Sequence, residues 1–128
     1  MPANSEGGTM TYKTYRDLVS EAKSRIREIS PADSIALHAS DPKTVFIDIR
    51  EPNEWNLGYI PRAVHMERGN LESKIEAVPR EQRIVLYCAS GNRTALAADT
   101  LQQMGYGKVE SMAGGFRGWV EAGGDVEG

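Results

Sequence analysis

Short apolar runs alternate with helix-like segments along the chain, and this alternation restricts the possible folds more than any other feature. Four runs have the length and composition of strands: residues 44–49, 63–66, 83–88 and 108–112. The run RIVLYC at 83–88 is apolar through its middle, which is typical of a parallel strand covered on both faces. The alternation therefore predicts an α/β domain, with a mainly parallel central sheet and helices on both faces.

The helices of this domain are indicated by apolar spacing and by capping residues. Residues 11–29 carry apolar side chains at helical spacing, which predicts an amphipathic N-terminal helix. Ser30 and Pro31 can begin a second helix that continues to about His38. Further helices are predicted at 70–78, where Asn70 is the cap, at 93–104 and at 114–123. The segment REPNEWNLGYIPRA between the first two strands is predicted to be a loop with one helical turn.

Length, charge and cysteine content narrow the class of protein. The 128 residues fit one domain, with a flexible tail at 1–10 and a C-terminal tail at 124–128 that we expect to fray. The net charge of −3, without a basic block, gives no reason to expect a nucleic-acid partner. No apolar run is long enough to cross a membrane, and the first residues do not resemble a secretory signal. A single cysteine fits a reducing compartment, so we expect a cytoplasmic protein.

That cysteine, Cys88, stands at the end of a predicted strand, and a short polar loop leads from it into the next helix. Ligands of parallel sheets bind beyond the carboxyl ends of the strands, which is where this loop should lie. Gly91 can adopt a positive φ, and the amides of such a turn converge with those of the helix start on one anion-binding point. Arg93 adds a permanent charge, while Ser90 and Thr94 supply hydroxyl groups.

Those surroundings favour the thiolate form, so we predict that Cys88 is a nucleophile that attacks anionic substrates. The alternative is that Cys88 is a small buried hydrophobic residue. Other kinds of site have little support: His38, His65 and the cysteine are too scattered for a metal site, and no glycine-rich nucleotide motif is present. We therefore expect no metal site and no dinucleotide or Walker-type nucleotide site.

Four segments, in order, resemble the rhodanese family of sulfurtransferases in its single-domain form. They are VFIDIREPNEW (45–55), GYIPRAVHM (58–66), IVLYCASGNRTALAADTLQQMGY (84–106) and MAGGFRGW (112–119). The resemblance covers most of the chain and implies a rhodanese-like domain at 30–123. Two residues depart from the family pattern, since Tyr59 stands where His is frequent and Arg62 where Gly is frequent. We expect Arg62 to add positive charge near the pocket.

The resemblance implies a thiosulfate sulfurtransferase, with no cofactor or metal. Cys88 would accept a sulfane sulfur from a small anionic donor such as thiosulfate, and cyanide or a thiol would remove it from the resulting persulfide. The loop amides would hold the donor's oxygens and the transferred sulfur, with Arg93 steering the donor; this substrate-binding set is Ala89, Ser90, Gly91, Asn92, Arg93 and Thr94. Asp48 and Arg50 would lie near the site, as an ion pair that holds the REPNEW segment in place.

Three other functions stay open. The domain could be a non-catalytic docking or regulatory module, although its cysteine and loop are intact. It could relay sulfur to a protein acceptor, with the helix at 11–29 as a partner-binding element. Phosphatase or arsenate-reductase activity is the third, but the related phosphatases have five residues between Cys and Arg, whereas only four separate Cys88 from Arg93.

Overall fold

The computed structural model describes residues 11–128, and in it five parallel strands form one central sheet. In chain order the strands are β1 (Arg27–Ile29), β2 (Val45–Asp48), β3 (Val64–His65), β4 (Ile84–Tyr87) and β5 (Val109–Met112). Their order across the sheet is β1-β5-β4-β2-β3, which puts β4 at the centre. The predicted α/β fold with a parallel sheet is therefore confirmed. The tail predicted at 1–10 lies outside the described residues.

Helices cover both faces of this sheet. They are α1 (Tyr15–Arg25), α2 (Pro31–Ser40), α3 (Pro52–Trp55), α4 (Leu71–Lys74), α5 (Asn92–Gln103) and α6 (Gly115–Glu121), with 3-10 turns at Arg68–Asn70 and Ile75–Ala77 around α4. Alternate residues of β4 point to opposite faces. Leu86 and Cys88 pack in the core that contains α4 and α5, whereas Tyr87 packs with Trp119 of α6. Cys88 therefore lies beneath α5.

The N-terminal segment differs from its prediction, because the helix ends at Arg25 and residues 27–29 form β1. Strand β1 lies at the edge of the sheet and pairs in parallel with β5. Ile29 continues the apolar spacing of the helix, so the local pattern alone predicts helix for these residues. They form a strand because they pair with β5, which is distant in sequence. The start of α1 is a capping box, in which Thr14 Oγ1 accepts from Asp17 N at 3.1 Å and the Asp17 carboxylate accepts from Thr14 N at 2.9 Å.

Two other segments also differ in detail. The predicted helix at 70–78 is a single α-helical turn between two 3-10 turns, and the Asn70 side chain does not cap it. The segment 124–128, which we expected to fray, lies against the domain. Trp119 Nε1 donates to Asp125 O at 2.7 Å, and the backbones of Tyr59 and Glu127 exchange two hydrogen bonds of 2.9 Å each. Across residues 11–128, none of the helices is both long and apolar enough to span a bilayer.

Candidate active site

The Cys88 loop joins the central strand to α5 at the carboxyl edge of the sheet. Gly91 has φ of +103° and stands immediately before the first helical residue, Asn92. Its amide donates to Cys88 Sγ at 3.1 Å. A Cβ at this position would lie 3.2 Å from Met112 O, so both the conformation and the space favour glycine. The loop thus aims one backbone N–H at the sulfur, whereas the sequence predicted that several amides converge at this point.

A buried hydroxyl network supports the other side of the sulfur. Thr94 Oγ1 is 3.7 Å from Cys88 Sγ and donates to Gly91 O at 3.1 Å. Ser111 Oγ on β5 donates to the same Thr94 oxygen at 2.8 Å. The Ser111 hydroxyl donates to one lone pair of Thr94 Oγ1. The Thr94 proton is therefore free to be donated either to Gly91 O or to Cys88 Sγ. Ser111 was not among the predicted site residues, and its only sequence signal is a polar residue in the middle of a buried strand.

Helix α6 holds the carbonyl side of the loop. Phe116 N donates to Cys88 O at 2.7 Å, and Arg117 N donates to Ala89 O at 3.3 Å. The amides of the first α5 turn have no acceptor inside their own helix and remain available to a ligand. The close approach of α6 to the Cys88 loop requires glycine at position 115. A Cβ on Gly115 would collide with Cys88 O and lie 2.7 Å from the Ala89 carbonyl carbon and oxygen. Gly115, the first residue of α6, is therefore part of the site's support.

Arg93 forms an ion pair with Glu54 of α3. Its two terminal nitrogens lie 3.2 and 3.3 Å from the carboxylate oxygens, and both side chains are about one-third exposed. Glu54 raises the pKa of the Arg93 guanidinium, with a smaller contribution from Cys88, and Arg93 in turn lowers the pKa of Glu54. The cation predicted to face the donor is thus partly neutralised. Glu54 was not predicted as a site residue, although it lies in the REPNEW segment that carried the family resemblance.

The structure joins Asp48 and Arg50 at the end of β2. Arg50 Nη2 lies 2.7 Å from the Asp48 carboxylate, and both side chains are almost wholly buried. The same nitrogen donates to Gly58 O at 2.7 Å, and the guanidinium carbon lies 4.3 Å from the centre of the Phe116 ring. The pair therefore connects the loop after β2 to α6, which in turn contacts the Cys88 loop.

The two departures from the family pattern have separate structural roles. The Tyr59 ring stacks on Trp55 at 3.8 Å, and Trp55 stacks on His65 at 4.8 Å, so three rings hold the end of α3 against β3. Arg62 has φ of +67°, the conformation for which the family's glycine is suited. Its guanidinium donates to His38 O. The charge expected near the pocket is therefore directed to α2, and that expectation was wrong.

The thiol itself is enclosed in the described conformation. Cys88 is fully buried, whereas Ser90 and Asn92 in the same loop are exposed and Ala89 and Arg93 are partly exposed. The sulfur thus lies one residue layer below the surface. Its nearest polar groups, the Gly91 amide and the Thr94 hydroxyl, distinguish this environment from a purely hydrocarbon one. The arrangement can stabilise a negatively charged sulfur and can receive an anion at the loop amides.

Comparisons with known proteins identify the family of this chain. The model of the rhodanese-like domain family matches residues 31–122. A sulfurtransferase of Allochromatium vinosum is 32% identical over 93 residues, which cover 72% of this chain and 87% of that protein. The sulfur-carrier candidate YrkF of Bacillus subtilis is 33% identical over 79% of this chain, but the chain spans only 55% of YrkF.

One solved structure extends the likeness beyond the matched domain. It is a protein of unknown function from Rhodopseudomonas palustris, described as a possible tyrosine phosphatase, with 38% identity and a TM-score of 0.84. The similarity covers 93% of this chain and 98% of that one. The family model spans most of the sequence, including the Cys88 loop. The chain therefore belongs to the rhodanese-like domain family.

Proposed function

We propose that this protein is a sulfurtransferase that carries a sulfane sulfur on Cys88, from a donor such as thiosulfate to cyanide or a thiol. The observation that carries the proposal is the Gly91 amide, 3.1 Å from Cys88 Sγ, in a loop that opens into α5. A donor N–H at this position favours both a thiolate and the anionic end of a persulfide. The sulfurtransferase relative in Allochromatium vinosum supports the same class of reaction.

The reaction has two balanced steps. In the first, the Cys88 thiolate attacks the outer sulfur of thiosulfate, an S–S bond forms, and sulfite leaves with the electron pair of the broken bond. In the second, cyanide attacks the terminal sulfur of the persulfide, thiocyanate forms, and the Cys88 thiolate leaves. A thiol acceptor reacts in the same way and becomes a persulfide itself. The route needs no metal or cofactor, because both steps exchange one sulfur between nucleophiles.

The loop and its ion pair have distinct roles in this proposal. The free amides at the start of α5 bind the sulfonate oxygens of the donor. Arg93 attracts the donor, and Glu54 competes with that donor for the same guanidinium. The donor therefore displaces the Glu54 carboxylate from Arg93 as it binds.

Intact-protein mass spectrometry after incubation with thiosulfate tests the first step. Because Cys88 is the only cysteine in the chain, a gain of one sulfur atom is assigned without peptide mapping. Cyanide should remove that sulfur and release thiocyanate, and Cys88→Ser should show neither the gain nor the turnover. Equal activity of wild type and Cys88→Ser would refute the proposal. Ser40→Ala, which removes an exposed hydroxyl at the end of α2 and outside the loop, serves as the control.

Phosphate-ester hydrolysis is the second candidate, because the Rhodopseudomonas palustris protein is described as a possible tyrosine phosphatase. The four residues between Cys88 and Arg93 argue against it, since a shorter loop leaves less room for a tetrahedral phosphoryl group. Turnover of p-nitrophenyl phosphate, measured beside thiosulfate turnover, separates the two. Hydrolysis that depends on Cys88 and exceeds sulfur transfer would reverse the ranking.

A protein could also be the sulfur acceptor, and the similarity to YrkF supports this variant. In that case persulfide formation on Cys88 stays the same, whereas cyanide and small thiols are poor second substrates. A docking module without catalysis is excluded if the mass gain and its removal both depend on Cys88.

A further inference from the structure

A cavity lies beside the Cys88 loop, between α1 and the start of α5. Its volume is about 510 Å³, which is within the usual range of small-molecule sites. Five of its lining residues come from one face of α1, and the sixth begins α5: Tyr15, Arg16, Val19, Ser20, Lys23 and Asn92. All the α1 residues precede the segment 31–122 that the family model matches, so the cavity is built largely by a part of the chain outside that domain.

The packing of the two helices places this cavity at the active edge of the sheet. Val19 packs with Ala95, and further along Arg25 pairs with Asp99 at 2.8 Å, so α1 and α5 run in the same direction. The beginning of α1 therefore lies beside the beginning of α5. Asn92, which lines the cavity, directly follows Gly91, whose amide contacts the Cys88 sulfur. A molecule in the cavity is thus adjacent to the loop that carries the transferred sulfur.

The lining is positively charged and has no opposing carboxylate. Arg16 and Lys23 are exposed, and neither forms an ion pair with any residue of 11–128. At 100° per residue, Asp17 and Glu21 project from the other side of α1. Both are also engaged elsewhere, since the Asp17 carboxylate accepts from Thr14 N and Glu21 pairs with Lys13.

We propose that this cavity binds the anionic body of a small thiol that accepts sulfur from Cys88. The inference rests on the proposed sulfurtransferase function and names the acceptor class. The two cations suit carboxylates spaced along an organic molecule, and Tyr15 and Val19 supply an apolar wall. The bound thiol, having lost its proton to solvent, attacks the terminal sulfur of the persulfide. A new S–S bond forms on the acceptor, and the Cys88 thiolate leaves with the electrons of the old one.

The test uses the full chain and three acceptors: glutathione, which carries two carboxylates, the neutral 2-mercaptoethanol, and cyanide. The variant is the double charge reversal Arg16→Glu with Lys23→Glu. Its control is Lys43→Glu with Lys108→Glu, which changes the net charge equally at exposed residues preceding β2 and β5, away from Cys88. All four side chains are exposed, so we expect both variants to fold.

We expect the cavity variant to raise the KM for glutathione about tenfold, a loss of about 1.4 kcal/mol in binding, while the KM for 2-mercaptoethanol and cyanide stays within about twofold. The control variant should leave all three unchanged within that range. The proposal would be overturned if the cavity variant raised the KM for glutathione and for 2-mercaptoethanol equally. It would also be overturned if the cavity variant and the control variant raised the KM for glutathione equally. A cavity variant with unchanged kinetics for every acceptor would likewise overturn it, and this result would favour a protein acceptor that binds elsewhere.

A second measurement does not depend on catalysis. S-methylglutathione has the same carboxylates but no free thiol, and its binding can be followed by the NMR amide shifts of wild type. We expect shifts in α1 and at Asn92 that disappear in the cavity variant and persist in the control. If no sulfur transfer occurs but these shifts are seen, the proposed function fails and the anion-binding cavity stands. If transfer to cyanide occurs but no such shifts are seen, the cavity assignment fails alone.

Discussion

Replacing Gly115 with alanine tests whether α6 positions the Cys88 loop. The first turn of α6 holds that loop by its carbonyls, through Phe116 N to Cys88 O at 2.7 Å and Arg117 N to Ala89 O at 3.3 Å. These bonds require a close approach of two backbones. A Cβ at Gly115 would collide with Cys88 O and lie 2.7 Å from the Ala89 carbonyl, so the loop or the helix has to move.

The size of the effect follows from two structural quantities. With φ of +56°, Gly115 has a left-handed conformation, which costs an alanine about 1–2 kcal/mol. Overpacking against backbone adds roughly 1–3 kcal/mol, which leaves most domains of this size folded. Ordinary van der Waals contact begins near 3.4 Å, so the Ala89 carbonyl has to retreat by about 0.7 Å from the new Cβ, and Cys88 O, which lies closer, has to retreat further. Since a misplacement of about 1 Å can cost ~10²-fold in rate, we expect kcat/KM for thiosulfate to fall about 10- to 30-fold.

Gly114→Ala is the matched control, because Gly114 also has a positive φ, +75°, but lacks the collision. A Cβ there would lie 3.5 Å from Gly118 Cα, which is ordinary contact. We therefore expect Gly114→Ala to lose about 1–2 kcal/mol in urea unfolding while keeping nearly full sulfurtransferase activity. If the two variants lose activity equally, or if Gly115→Ala remains fully active, close packing of α6 does not position the thiol and this reasoning is refuted.

Three further predictions concern the residues around the loop. Arg50→Met leaves the buried Asp48 carboxylate without its partner, and we expect a loss of about 3–5 kcal/mol in the free energy of unfolding, measured in urea. Thr94→Val removes the hydroxyl 3.7 Å from Cys88 Sγ, and we expect persulfide formation to slow about tenfold in rapid-mixing mass spectrometry; an unchanged rate would assign this hydroxyl to packing alone. Arg93 lowers the pKa of Glu54, so this carboxylate stabilises the fold above its unfolded pKa and loses that contribution as pH falls through its folded pKa. Thermal melts at pH 7 and at about pH 4 should therefore show a smaller loss of stability on acidification in Glu54→Gln than in wild type, and parallel losses would contradict the ion pair's contribution.

Local sequence pattern determined the elements that carry the thiol. The apolar run of β4, the glycine in the loop and the alanine-rich helix are encoded by neighbouring residues, so the position of Cys88 at a strand end followed from the sequence alone. The same holds for the Ser30 cap of α2, whose hydroxyl accepts from Asp33 N at 3.0 Å as predicted. Periodicity and capping act over a few residues, and such features can be predicted without a partner segment.

Features that depend on distant segments were decided by the tertiary structure. Strand β1 exists because β5 offers it an edge, and its three residues contain too little pattern to separate it from the preceding helix. Ser111 reaches the site through Thr94, and Glu54 reaches it through Arg93, across loops that local propensity does not position. Arg62 retains the left-handed backbone of the family's glycine, but packing against α2 decides where its charge goes. Sequence pattern thus located the single cysteine at the end of β4, whereas its polar surroundings arise only when separate elements meet in the folded domain.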